Sequence, residues 1–313
     1  MPEESIWFEW EVAKSGYCWR EDWESGLPAC RISGYAHAGL PQSTPETERF
    51  LVVNTEISRP PETKSYSPLK TTGLFLDFSS LEPEDAAIVA FADRWGLLTN
   101  SEVIVSSEVD EGLPFPGEPR SLWTTALLRM KYLVKLWRMV EGSDRIALQR
   151  VIEWHDLYNL HGFYSGGDGT GFDRHWIPWP PPHSIGVKRG DVVAAARHAL
   201  TNRVNEAIRG SIHPELVSSS RGARPSLHLV PQDLLSGLWL QFARAIAGGK
   251  EYSRCDHCGG WFEISSPEGG RVDKKYCSPA CRARRWRAER HQRAGAEPVT
   301  DLVPGATQSR TRW

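Results

Sequence analysis

Long apolar runs are absent from this chain of 313 residues. No stretch approaches the roughly twenty consecutive apolar residues that are needed to span a bilayer. The first residues, Met1 to Ser5, are acidic and do not provide the apolar core of a secretory signal. These two absences predict a cytoplasmic protein that has no membrane partner.

Catalytic signatures are also missing. The glycine-rich run 165–171 lacks the Lys-Ser/Thr pair that completes a phosphate-binding P-loop. Asp173, His175 and His183 follow it, but their spacing fits no compact metal-ligand pattern. Without a nucleophile–base pair or a cofactor motif, the sequence favours a protein that is not an enzyme. An active site in the irregular loop 156–190 remains the alternative.

Cysteine is scarce, with six residues, yet four of them stand in two short pairs. Cys255 and Cys258 form a CxxC knuckle, and Cys277 and Cys281 follow after eighteen residues. In a reducing cytoplasm such pairs typically bind metal instead of forming disulfides. Four thiolates complete a tetrahedral shell without an open position, as in structural zinc sites. The sequence therefore predicts one structural Zn²⁺ as cofactor and gives the metal no catalytic role.

The segment 252–293 has the element order of a treble-clef-like zinc finger. The knuckle comes first, and residues 259–264 read as a strand of a hairpin. Ser278 is a suitable N-cap, and Pro279 suits the first position of a helix. This order places Cys281 in the first helical turn, where the backbone amides favour a thiolate.

The same segment resembles the CGNR-type zinc fingers of bacterial proteins described as transcription regulators. Cys281-Arg282-Ala283-Arg284 stands where that family has Cys-Gly-Asn-Arg. The resemblance implies that the four cysteines hold the metal and that the protein acts in regulation. It covers only the C-terminal segment, and Arg282 departs from the glycine of the signature. The resemblance rests on these matching residues: Cys255, Cys258, Trp261, Phe262, Tyr276, Cys277, Ser278 and Cys281.

Charge is distributed unevenly along the chain. The net charge is −2, whereas residues 250–293 contain eleven Lys or Arg and six Asp or Glu. The rest of the chain is therefore acidic. A dense cationic patch suits the phosphates of DNA, and we expect it to comprise Lys274, Lys275, Arg282, Arg284, Arg285, Arg287 and Arg290.

Two functions fit these features. In the first, the basic helix after the second cysteine pair binds nucleic acid, as in a transcription regulator. In the alternative, the finger is a structural or protein-interaction module that staples the C-terminus, and its arginines dock on the acidic body or on a protein partner. Trp286 either stacks on a base or anchors its helix by packing.

The predicted fold class is α+β. Residues 1–70 are expected to be a small β-rich part, and residues 71–250 a mainly helical body. The zinc finger with its basic helix occupies 251–293, and the tail 294–313 has the composition of a disordered segment. The clearest helical pattern is the apolar stripe of residues 121–140.

Overall fold

The computed structural model divides the chain into two compact units, Met1–Glu251 and Tyr252–Trp313. We call the first unit the body and the second the finger. The structure describes residues 8–20, 49–55, 61–107, 110–154, 162–164, 175–177, 187–218, 225–264 and 274–294. Within these ranges no helix is both long and apolar enough to cross a bilayer.

Small antiparallel sheets form one part of the body. In one sheet, β1 pairs with β4, and in the other the strand order is β2-β3-β6-β5. These strands are β1 (Trp10–Ala13), β2 (Tyr17–Arg20), β3 (Phe50–Val53), β4 (Thr63–Tyr66), β5 (Glu102–Ser107) and β6 (Asp110–Pro119). All four residues of β3 are buried, as the β-branched and aromatic sequence Phe-Leu-Val-Val predicts.

Strand β6 contains Pro114, Pro116 and Pro119, a residue type that usually interrupts strands. Pro114 and Pro116 lie opposite Ile104 and Glu102 of β5. Pairing with β3 covers only the end of β6, from Gly117 to Pro119. Proline lacks an N–H donor, so a strand can contain it at positions where only one of the two adjacent strands is hydrogen-bonded. Strands are therefore also found outside residues 1–70, the part of the chain that was predicted to be β-rich.

Seven α-helices are found in the described residues. They are α1 (Leu74–Ser79), α2 (Asp85–Trp95), α3 (Arg120–Glu141), α4 (Arg145–Gln149), α5 (Val192–Ile208), α6 (Leu234–Ala247) and, in the finger, α7 (Pro279–Ala294). The apolar stripe expected over 121–140 is the buried face of α3. The prediction of a mixed α and β fold is confirmed.

An aromatic cluster joins α1, α3 and α6 in the core. Phe75 stacks on Phe242 with ring centroids 5.3 Å apart, and Trp137 meets Phe242 edge-on at 5.6 Å. Phe75 and Phe242 are completely buried. Burying each such ring stabilises the fold by about 1.5–3 kcal/mol. The cluster accounts for part of the chain's high tryptophan content without a ligand.

The remaining strands of the body form two further sheets. One has three strands, β7 (Ile152–Glu153), β8 (Gly162–Tyr164) and β9 (His175–Ile177). The other is a hairpin of β10 (Ile212–Val217) and β11 (Ser226–Pro231). The Ser, Arg and Pro residues of the segment 211–226 are typical of a loop, but residues 212–217 and Ser226 belong to strands, and each residue of β10 lies opposite one of β11.

Glu118 is a fully buried carboxylate near the end of β6. It accepts hydrogen bonds from the backbone N–H groups of Leu98, at 3.0 Å, and Thr99, at 2.5 Å. The Thr99 hydroxyl also donates to it at 2.6 Å. Burial outweighs these bonds and raises the pKa of Glu118 to about 7. The Glu118 side chain holds the turn after α2 in place, because the backbone N–H groups of Leu98 and Thr99 would otherwise lack these hydrogen-bond acceptors.

Candidate metal centre

The first two cysteines lie in the turn of a short hairpin. Strands β12 (Tyr252–Arg254) and β13 (Trp261–Glu263) pair antiparallel and bracket the knuckle. The Cys255 N–H donates to the Gly260 carbonyl at 2.9 Å, and the Gly259 N–H donates to the Cys255 carbonyl at 2.8 Å. Gly259 has a φ of +70°, a conformation that glycine adopts without strain. The sequence predicted a strand over 259–264, but β13 begins at Trp261, because Gly259 and Gly260 complete the turn.

The other two cysteines stand at the start of α7. The Ser278 hydroxyl accepts a hydrogen bond from the Cys281 N–H at 3.2 Å, so Ser278 is the N-cap that the sequence predicts. Pro279 is the first residue of the helix, which also agrees with the prediction. The Asp256 N–H donates to the Lys275 carbonyl at 3.0 Å, and this bond joins the knuckle to the segment before the helix.

The structure brings the four Sγ atoms of Cys255, Cys258, Cys277 and Cys281 within 4.8 Å of one another. Cys258 and Cys277 are 3.7 Å apart, and Cys277 and Cys281 are 3.4 Å apart. A disulfide would need about 2.05 Å. Ligands at about 2.3 Å around a tetrahedral ion are separated by about 3.8 Å. The sulfur spacing therefore fits a four-thiolate metal site, and the four cysteines can hold an ion such as Zn²⁺.

A small apolar core supports this cluster. Cys255 and Cys281 are buried together with Phe262, and Ile264 and Tyr276 pack against them. Phe262 lies in β13. The hairpin therefore provides two of the sulfurs, those of Cys255 and Cys258, and also the aromatic ring that packs with Cys281 of α7. In the described part of the finger this core has three buried side chains, and domains of this size usually depend on a metal or on disulfides for stability.

The backbone around the cluster favours one thiolate. Burial opposes ionisation of Cys255, but hydrogen bonds from the amides of Cys258, Cys277 and His257 outweigh it and lower its pKa to about 6. For Cys277, burial and the adjacent sulfurs, chiefly those of Cys281 and Cys258, raise the pKa to about 12. A divalent cation bound at this cluster would favour the thiolate form of its ligands, because metal binding releases protons from cysteine.

The basic residues predicted to contact nucleic acid all have exposed side chains. This holds for Lys274 and Lys275 before the helix and for the arginines within it, which are Arg282, Arg284, Arg285, Arg287 and Arg290. Arg285 forms an ion pair with Glu289 at 2.7 Å. The described part of the finger has nine Lys or Arg residues and three Asp or Glu residues. The side chains of the cationic patch that the sequence predicts are therefore exposed in the structure.

Trp286 is also exposed, with 58 % of its surface accessible. Its ring lies beside the Arg290 guanidinium, whose central carbon is 5.1 Å from the ring centroid. A tryptophan that anchored its helix by packing would be buried. Within the described part of the finger, Trp286 therefore does not anchor its helix by packing.

Two further side chains that could bind metal, those of His257 and Cys18, do not belong to the sulfur cluster. His257 is half-buried in the knuckle. Cys18 is a half-buried free thiol in β2, while Cys30 lies outside the described residues. Most of the loop 156–190, with its glycine run, Asp173 and His183, also lies outside them, as does the tail from residue 295.

Comparisons with known proteins give no further guide to function. The chain matches no protein-family model, no curated protein and no solved structure. The similarity to CGNR-type fingers therefore rests on the residues of the cysteine segment alone and stays a prediction.

Proposed function

We propose that the C-terminal unit is a treble-clef-like zinc finger that binds nucleic acid through α7. The observation that supports it is the position of Cys281, which is both a member of the sulfur cluster and the third residue of the arginine helix. A metal held there fixes the first turn of the helix to the knuckle. The thiolates of such a site persist in a reducing compartment, so the proposed location is the cytoplasm.

The zinc acts as a structural staple. Four protein ligands leave no open coordination position, so the ion neither activates water nor binds a substrate. It supplies folding free energy to a unit whose apolar core is small. The helix is then rigid where its arginines are exposed, which reduces the entropy lost when they bind a partner.

Charge supports nucleic acid as that partner. Five arginines lie within nine residues of α7, and in the described residues only Arg285 forms an ion pair with an acidic side chain, that of Glu289. Exposed guanidinium groups release condensed counterions when they contact phosphates, and the affinity then falls steeply with salt. Arginine also forms bidentate hydrogen bonds with phosphate oxygens.

An electrophoretic mobility shift with the full chain tests this proposal. The zinc-loaded protein is compared with Cys277→Ser, which removes a ligand, and with the triple variant Arg284→Ala, Arg285→Ala, Arg287→Ala, which retains the metal site. We expect the intact protein to shift a mixed set of DNA and RNA fragments at low salt. Both variants should lose this shift. The exposed Arg145→Ala in α4 of the body serves as a control and should bind normally.

The salt dependence separates the two functions that the sequence allows. Binding that weakens tenfold or more between 50 and 200 mM salt supports nucleic-acid recognition, in line with roughly 10³–10⁵-fold for 6–10 phosphate contacts. No shift at low salt would refute it. In that case the finger is a structural or protein-interaction module, and the zinc site keeps its stapling role.

A further inference from the structure

A face of α7 that is turned away from the sulfur cluster carries an aromatic ring between two cations. Arg282, Trp286 and Arg290 follow one another at intervals of four residues. Such positions lie on successive turns of one helix face, about 6 Å apart along the axis. At about 100° per residue, Trp286 stands roughly 140° around the helix from Cys281, so the face that carries it points away from the sulfur cluster. All three side chains are exposed.

The exposure of Trp286 calls for an explanation, because a large ring in water is unfavourable. Four of the tryptophans described in the body, among them Trp123 and Trp239, are buried. Trp286 instead has 58 % of its surface accessible, and one neighbour of its ring is the Arg290 guanidinium. A cation beside an indole is attracted by the electrons of the ring. The arrangement leaves much of the ring available to a flat ligand.

We infer that Arg282, Trp286 and Arg290 form a stacking site for an unpaired base, so that the finger prefers single-stranded nucleic acid. The two arginines would contact the phosphates on either side of the base, and the indole would stack on it. Bases in a duplex already stack on each other, and their faces are closed to a side chain on a rigid helix. Every base has a π-face, so the preference is for strandedness and not for sequence. This inference rests on the proposed function.

Charge and ring together favour this ligand over an acidic peptide. An acidic peptide would satisfy the arginines but would leave the exposed indole without a matching group. A single strand offers phosphates and planar bases in alternation. Base–aromatic stacking measured by alanine substitution contributes about 1–3 kcal/mol per base, which corresponds to roughly 5- to 150-fold in affinity.

Fluorescence anisotropy with the full, zinc-loaded chain tests the inference. The probes are a labelled oligothymidine, a labelled oligouridine and a labelled duplex of the same length, at one fixed salt concentration. Trp286→Leu keeps apolar bulk without an aromatic face, and Trp286→Phe keeps a smaller ring. The zinc content of each variant is measured first, because neither change touches the sulfur cluster and both should retain the metal.

We expect Trp286→Leu to weaken binding to both single strands by about 5- to 150-fold and to leave duplex binding unchanged. Trp286→Phe should lose less. The comparison of oligothymidine with oligouridine shows whether the strand is DNA or RNA. Equal losses on single strands and duplex, or no loss on either, would overturn the stacking site while nucleic-acid binding stands. No salt-sensitive binding to any probe would overturn the proposed function itself.

Discussion

The Ser278 hydroxyl accepts a hydrogen bond from the N–H of Cys281 at 3.2 Å, and this bond couples the start of α7 to the sulfur cluster. The capped residue is itself a candidate metal ligand. Helix formation and metal binding are therefore expected to support each other at this point, because each fixes the same backbone.

Removal of this cap should weaken metal binding. Replacement of an N-cap serine by alanine costs about 1 kcal/mol, so Ser278→Ala should lower the zinc affinity by about fivefold. The affinity is measured by competition with a coloured chelator. Ser278→Asp keeps an acceptor at the cap and should bind almost as well as the intact protein. Ser253→Ala, in β12, is the matched control. Equal affinity of Ser278→Ala and the intact protein would show that the cap does not support the site.

The aromatic cluster of the body should dominate its stability. Phe242→Ala removes a fully buried ring from between Phe75 and Trp137, and we expect a loss of about 3–5 kcal/mol in the free energy of unfolding. Chemical denaturation followed by circular dichroism measures it. Leu229→Ala, at an exposed position of β11, should change stability by less than about 0.5 kcal/mol. A loss below 1 kcal/mol for Phe242→Ala would contradict the described packing.

Glu118 should make the body less stable as the pH rises. Its pKa is raised from 4.5 to about 7 in the folded chain. Below pH 4.5 the group is protonated in both states. Between pH 4.5 and 7 the unfolded chain releases the proton first, so the stability contributed by the protonated group is lost progressively. The shift corresponds to a decline of about 3 kcal/mol.

The pH series of unfolding free energies is compared with that of Glu118→Gln. The variant has no proton to release, and we expect this part of the pH dependence to disappear even if its overall stability is lower. Glu215→Gln, at an exposed position of β10, should leave the dependence intact. The same slope in Glu118→Gln and in the intact protein would rule out titration of this carboxyl as its source.

The sequence predicted the candidate metal site better than it predicted the sheets. The CxxC spacing, the Ser278-Pro279 start and the following helix are local signals, and the chain turns there as those residues dictate. Long helices such as α3 were also recognisable, because a stripe of apolar residues repeats over many turns.

Strand β6 and the buried Glu118 were not recognisable, because both depend on pairing with backbone groups outside their own local sequence. A strand tolerates proline where the edge that faces the proline nitrogen has no partner strand. Which edge has a partner depends on the order of the strands in the sheet. Glu118 stands between Gly117 and Pro119 like an exposed turn residue. Its burial depends on amides of Leu98 and Thr99, about twenty residues earlier.

The metal content of the purified full chain tests the central claim most directly. We predict one zinc ion per chain, and replacement by Co²⁺ should give the intense visible bands of a tetrahedral thiolate site. Cys255→Ser and Cys277→Ser should lose the ion or bind it far more weakly, while Cys18→Ser in the body should keep it. An intact protein without metal, or Cys255→Ser and Cys277→Ser variants that retain zinc at full affinity, would contradict the four-cysteine site.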